Sequence, residues 1–94
     1  MKKLLISKDL QSKIPVQLIK QIYIVLSSLP VSQTKHLLRL HPTISGLHIH
    51  HSIPLTDFNC TIELNNRYNI DNTLEIVAFD KGDRIMMAFS SEIK

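Results

Sequence analysis

The strongest constraint on the fold is an alternation of apolar and polar residues on both sides of one turn sequence. The turn is Asp80–Asp83, in which Gly82 supplies the positive φ that a tight hairpin requires. In the predicted register, the first pair of opposing residues outside this turn is Phe79 and Arg84. One face of the two strands then carries only apolar residues: Leu74, Ile76, Ala78, Ile85, Met87 and Phe89. Because a slip of one residue would mix the faces, the pattern predicts a β-hairpin with one side in the core.

A second hairpin is predicted around the turn Thr43–Gly46, with Pro42 opposite Leu47. Its core face carries Leu38, Leu40, Leu47 and Ile49. Its other face carries Arg39, His41, His48 and His50. Between the two hairpins, apolar residues alternate again over Phe58–Leu64, which predicts one more half-buried strand.

A helical period occurs once in the chain. Pro15 suits the first turn of a helix, and apolar residues then recur every three or four positions: Leu18, Ile19, Ile22, Val25, Leu26 and Leu29. We predict a helix over Pro15–Ser28, stopped by Pro30. Before it, Leu4–Ser7 is a short apolar strand and Ser7–Lys13 is a polar loop.

Together these elements predict an α+β fold in two layers. One helix packs on a mostly antiparallel sheet of about five to six strands, in the order β-α-β-β-β-β-β, and the five later strands form a meander. The length of 94 residues, with 44% hydrophobic and 20% charged residues, fits one domain over residues 1–94.

The composition restricts the compartment and the partners. The single cysteine, Cys60, forms no internal disulfide, and the apolar run Leu4–Ile6 is too short for a signal peptide, so we expect a cytoplasmic protein without a membrane segment. The net charge of +3 comes from scattered Lys and Arg residues, without tryptophan and with 5% aromatic residues. This charge permits nucleic-acid binding but does not indicate it.

No pattern in the sequence is typical of catalysis or of cofactor binding. Cys60 alternates with core residues, and Asp80 and Asp83 flank a turn. Both glycines, Gly46 and Gly82, lie in turns, so no glycine-rich phosphate loop exists. We therefore expect a non-enzymatic protein that needs no cofactor.

The outer hairpin residues Arg39, His41, His48 and His50 form a candidate binding surface, which could bind a metal ion or a phosphate or could simply face solvent. We assign no function to His36 or His51. A second candidate, a protein interface, is formed by Tyr23 and Ile24 on the flank of the helix, together with Phe79 and Met86. Pairing of edge strands would give a homodimer.

Three segments resemble a family of short proteins from Gram-positive bacteria, plasmids and phages, domain of unknown function nine-sixty. They are Lys13–Leu18 (KIPVQL), His50–Pro54 (HHSIP) and Val77–Ala88 (VAFDKGDRIMMA). The resemblance implies a strand–helix–sheet architecture but no activity, since none is established for that family. It also implies a connection with mobile genetic elements.

The leading functional hypothesis is an accessory protein that binds another macromolecule, in the first place a protein. The resemblance extends this hypothesis to a phage- or plasmid-encoded modulator, for example an inhibitor of a host defence protein. The two alternatives use the same basic, histidine-rich surface: binding of nucleic acid or phosphate, which acid would strengthen and salt would weaken, or binding of a metal.

Overall fold

A computed structural model describes residues 3–28, 34–65, 68, 70 and 72–93. In chain order the elements are β1 (Lys3–Ile6), α1 (Lys8–Lys13), α2 (Val16–Ser27), β2 (Thr34–Pro42), β3 (Leu47–Ser52), β4 (Asn59–Leu64), β5 (Leu74–Asp80), β6 (Arg84–Phe89) and a 3-10 turn (Ser90–Glu92). The predicted α+β class is confirmed, and α2 matches the predicted helix to within one residue at each end. Pro30, its predicted stop, lies outside the described residues.

The segment predicted as a polar loop contains helix α1 instead. The side chain of Ser7 caps it by accepting a hydrogen bond from the backbone N–H of Leu10, at 3.1 Å. Leu10 and Ile14, four positions apart, are both buried, so one short apolar stripe holds the helix in place. The helix ends at Ile14, which is extended, as expected for a residue before proline.

The six strands form one sheet in the order β1-β6-β5-β2-β3-β4. The first strand, β1, pairs with β6 in parallel, and every other pair is antiparallel. The prediction of a mostly antiparallel sheet is therefore confirmed, whereas the predicted meander is wrong. Strand β5 pairs with β2 rather than with β4, so the last hairpin inserts between β1 and β2.

The two hairpin registers were predicted with different success. The β2–β3 register is confirmed pair by pair, including Arg39 opposite His50 and His41 opposite His48. The β5–β6 register differs from the prediction by two residues, because Phe79 pairs with Met86 rather than with Arg84. A shift of two leaves every side chain on its predicted face.

One hydrophobic cluster contains buried residues of both helices and of one face of the sheet. We call this side the inner face and the opposite side the outer face. The helices contribute Leu10, Ile14, Leu18, Ile19, Ile22 and Leu26. The strands contribute Leu38, Leu40, Leu47, Ile49, Ile76, Ala78, Ile85, Met87 and Phe89, which confirms the predicted core face of both hairpins. None of the described helices is long and apolar enough to cross a lipid bilayer.

Candidate binding surface

Strands β2 and β3 bring the four predicted surface residues together on the outer face. Arg39, His41, His48 and His50 line one shallow depression, to which Thr61 of β4 also contributes. Three of the four are exposed, and His48 is half-buried. We call these four residues the histidine surface.

Carboxylates lie beside two members of the histidine surface. The guanidinium of Arg39 donates to Glu75 Oε2 at 3.1 Å, across the β2–β5 pair. His48 Nε2 lies 3.7 Å from Glu63 Oε1, across the β3–β4 pair. Because both pairs are well exposed, solvent screens them, and their contribution to stability is small. The two carboxylates nonetheless reduce the positive charge that this surface presents to a polyanion.

Threonine hydroxyls bond the other two imidazoles. His41 Nδ1 lies 2.9 Å from Thr73 Oγ1, and His50 Nδ1 lies 3.1 Å from Thr61 Oγ1. These bonds restrict the rotation of both imidazole rings. Within the described part of the chain, no three His, Cys, Asp or Glu side chains are grouped so that they could hold a metal ion.

The other half of the outer face, over β1, β6, β5 and β2, is apolar. The register runs directly from Leu5 to Met86 and from Met86 to Phe79. We call these three residues, with Leu37, Val77 and Ala88, the apolar patch. Met86 is 40% exposed and Val77 is buried, whereas the other four members of the patch are half-buried. In an antiparallel sheet with one solvated face, the outward positions are normally polar.

A depression of about 360 Å³ opens at one end of the apolar patch. Its lining is Leu5, Ile6, Ser7, Phe79, Met86, Met87, Ala88 and Ile93. A second depression lies beside it, lined by Thr34, Lys35, Phe79, Asp80 and Lys81. Phe79 lines both depressions, so the apolar space meets a lysine-lined space at this residue. The Asp80 carboxylate, which also lines the second space, is buried and accepts a hydrogen bond from Gly82 N–H.

Four cations border the apolar patch. The ammonium groups of Lys35 and Lys81 lie 5.9 Å and 5.6 Å from the centroid of the Phe79 ring. Such distances are typical of cation–π contacts. Lys3 and Arg84, both exposed, are direct partners in the β1–β6 pair.

The predicted interface on helix α2 is only partly available. Ile24 is 60% exposed and Val16 is 63% exposed. Tyr23, in contrast, is half-buried and packs against the hydrophobic core, so its ring is not a free surface group. The helix therefore presents isolated aliphatic side chains, whereas the outer sheet face presents a continuous patch.

His36 and His51, to which we assigned no function, are both fully buried on the inner face. His36 Nδ1 and His51 Nε2 lie 2.9 Å apart, so one ring donates a hydrogen bond to the other. The His51 ring also packs edge-on against Phe58, with centroids 4.9 Å apart. Burial, and secondarily the nearby His36, lower the pKa of His51 to about 4, so this imidazole is neutral at physiological pH.

The sequence contains the signal for this buried pair. Inner-face residues of β2 and β3 alternate with a period of two, and this period includes His36 with Leu38 and His51 with Ile49. The same alternation also groups Cys60 with the core residues. Cys60 lies on the inner side of β4, opposite His51, but it is exposed rather than buried, because β4 is an edge strand.

Comparisons with known proteins extend the structural description but add no activity. No family model matches the sequence. No curated protein matches it either. A solved structure described as a protein of unknown function from Enterococcus faecalis has a TM-score of 0.83 to this chain, with 20% sequence identity. The match covers 99% of this chain and 92% of that one, and at this identity it shows a common fold alone.

Proposed function

We propose that this chain is a non-enzymatic accessory protein that binds another protein through the apolar patch. The observation that carries the proposal is the outward position of Leu5, Phe79 and Met86 on a sheet whose other face already contributes to the core. Monomeric soluble proteins rarely leave a continuous apolar surface open unless it is a binding site. Methionine and aromatic residues are also enriched at the centre of protein interfaces.

The proposal includes an arrangement in two layers, in which both helices cover the inner face and leave the outer face free. Two facts support this arrangement. The buried helix residues Leu10, Leu18 and Ile22 belong to the same cluster as the inner-face residues of the strands. On the outer face, Arg39 and Met86 remain exposed. A partner could therefore approach the sheet without displacing a helix.

We expect the change Met86→Ser to abolish capture of the partner, because it removes apolar contact area at the centre of the patch. The test uses the tagged chain as bait in a lysate of cells that naturally produce it, with bound proteins quantified by mass spectrometry. A purified partner should then bind Met86→Ser about tenfold more weakly than wild type.

The matched control is Ile24→Ser, which alters an even more exposed aliphatic side chain on α2. It should retain the partner at the wild-type level. Equal capture by wild type and Met86→Ser would remove the apolar patch from the proposal, and loss of binding in Ile24→Ser alone would move the interface to the helix. Identification of the partner would also test the predicted role as a modulator of a host defence protein.

A second candidate function is polyanion binding by the histidine surface, favoured by the meeting of Arg39, His41, His48 and His50 in one depression. Imidazoles gain positive charge as the pH falls below neutral, so affinity for a labelled single-stranded oligonucleotide should rise on acidification and fall with salt. The change Arg39→Gln should weaken binding, whereas Lys20→Gln on α2 should not. An affinity that is unchanged across pH and salt would eliminate this candidate.

A further inference from the structure

We infer that the partner segment bound by the apolar patch is acidic, with an apolar side chain inserted beside Phe79 and carboxylates placed against Lys35 and Lys81. This inference rests on the proposed function and specifies the chemistry of its ligand. Three features of the outer face support it: two lysines without a carboxylate partner, a pair of adjacent cations, and an apolar depression that shares a wall with them.

The first feature is the availability of the two lysine charges. Neither Lys35 nor Lys81 lies within salt-bridge distance of a carboxylate in the described part of the chain. Both ammonium groups instead lie over the ring of Phe79. An incoming carboxylate would find both cations already positioned at one place and would have no internal ion pair to break.

The second feature is the pair Lys3 and Arg84. The two residues are direct partners in the parallel β1–β6 pair, and both are exposed. Like charges directly opposite each other in a sheet are unfavourable, and an anion between them relieves the repulsion. This pair lies next to the row formed by Leu5 and Met86, so it extends the positive border of the apolar patch.

The third feature is the depression of about 360 Å³ that Phe79 shares with the lysine-lined space. Its volume is in the range of pockets that hold compact ligands, and its lining is mainly apolar. A side chain such as leucine or phenylalanine fits this chemistry. Because the two spaces meet at one ring, the geometry requires an apolar residue and a carboxylate close together in the ligand.

The same features disfavour two other occupants. A second copy of this chain would place the lysines and arginines of one patch against those of the other, which costs free energy. Single-stranded nucleic acid is bound by several stacked aromatic rings, whereas Phe79 is the one Phe, Tyr or Trp on the described outer-face strand positions, and the outer-face histidines lie on the other half of that face. Both occupants remain distinct outcomes of the test.

The experiment is a selection from a random peptide-display library against the wild-type protein. We expect selected peptides to be enriched in Asp or Glu next to Leu, Ile, Met or Phe. A synthetic peptide with the consensus sequence should bind at least about tenfold more weakly to the double variant Lys35→Glu/Lys81→Glu. Its affinity should also fall between about 50 mM and about 300 mM salt, as charge screening increases.

Both Lys35 and Lys81 are exposed, so reversal of their charge leaves the core intact. The matched control is Lys20→Glu, which reverses an exposed charge on α2 and should change affinity by less than about twofold. Met86→Ser tests the apolar contribution separately. Circular dichroism of all variants verifies that the fold is retained.

The outcomes separate this inference from the function on which it rests. Selected peptides that are apolar but neutral or basic, and that lose binding in Met86→Ser, would overturn the acidic ligand and leave protein binding by the patch intact. Acidic peptides that bind Met86→Ser as well as wild type would overturn both. Failure to select any peptide, displacement of the peptide by an oligonucleotide, or a dimer held together by the patch in sedimentation would each overturn the inference.

Discussion

The variant Gly46→Ala should lose about 3 kcal/mol or more of its free energy of unfolding, measured by urea denaturation at neutral pH. Gly46 is buried in the β2–β3 turn, where its backbone N–H donates to Thr43 Oγ1 at 3.0 Å and its carbonyl accepts from the Thr43 N–H at 2.9 Å. A Cβ at this position would overlap the carbonyl oxygen of Leu64. Because the obstacle is backbone, no change of rotamer can relieve the clash.

The other glycine gives a control with a different physical cause. Gly82 has a φ of +95°, but a Cβ there would have no neighbour within 4 Å. Gly82→Ala should therefore cost only the strain of a positive φ, about 1–2 kcal/mol. If Gly46→Ala proved no less stable than Gly82→Ala, the close contact between the β2–β3 turn and the end of β4 would be contradicted.

The second large effect is a loss of stability in acid that originates at His51. In the unfolded chain an imidazole takes up a proton near pH 6.5, whereas in the folded protein the pKa of His51 is lowered to about 4. Between these pH values the unfolded state binds more protons than the folded state, so the free energy of unfolding falls as the pH falls. The slope reaches about 1.2 kcal/mol per pH unit, and the loss totals about 3 kcal/mol at pH 4.

Urea denaturation of wild type and His51→Gln, at several pH values from about 7.5 to about 4, measures this effect. Glutamine carries no titrating group, so the variant should be less stable at neutral pH but should lose less stability in acid. The matched control is His50→Gln, which alters the preceding residue on the opposite, exposed face and should keep the wild-type slope. Identical acid slopes for wild type and His51→Gln would show that the buried imidazole does not govern the transition.

The sequence predicted side-chain faces better than strand order, and the reason is physical. Faces follow from local alternation, so the outward position of Arg39 and His50 could be inferred from one turn. The predicted register of the β5–β6 hairpin differs from the observed register by two residues. Its turn lies one residue later than predicted: Lys81 N–H bonds to the Arg84 carbonyl, so Gly82 and Asp83 are the two central residues, and the Asp80 carboxylate accepts from Gly82 N–H. An even shift cannot change a face, so the predicted core survived.

Strand order could not be predicted in the same way, because pairing between distant strands leaves no local pattern. Nothing near β5 indicates that it pairs with β2, and nothing in β1 indicates a parallel partner. The histidines illustrate a different failure. The alternation that places Leu38 and Ile49 inside also places His36 and His51 inside, but we assigned these two histidines neither a place in the core nor a function. The hydrogen bond between the two rings reduces the free-energy cost of burying them, because it pairs one polar nitrogen of each ring.

The parallel pairing of β1 with β6 also determines when this protein can finish folding during synthesis. Strands β2, β3 and β4 are neighbours in both sequence and space, so they can form as soon as they leave the ribosome. Strand β1 is synthesised well before its partner residues Arg84–Met87, because the other four strands and both helices lie between them in the chain. Until β6 has been synthesised, the backbone of β1 lacks this pairing partner and its apolar side chains remain exposed. A chaperone could protect them during this time. A chain truncated just before β6 would therefore contain β1 without the strand with which it pairs.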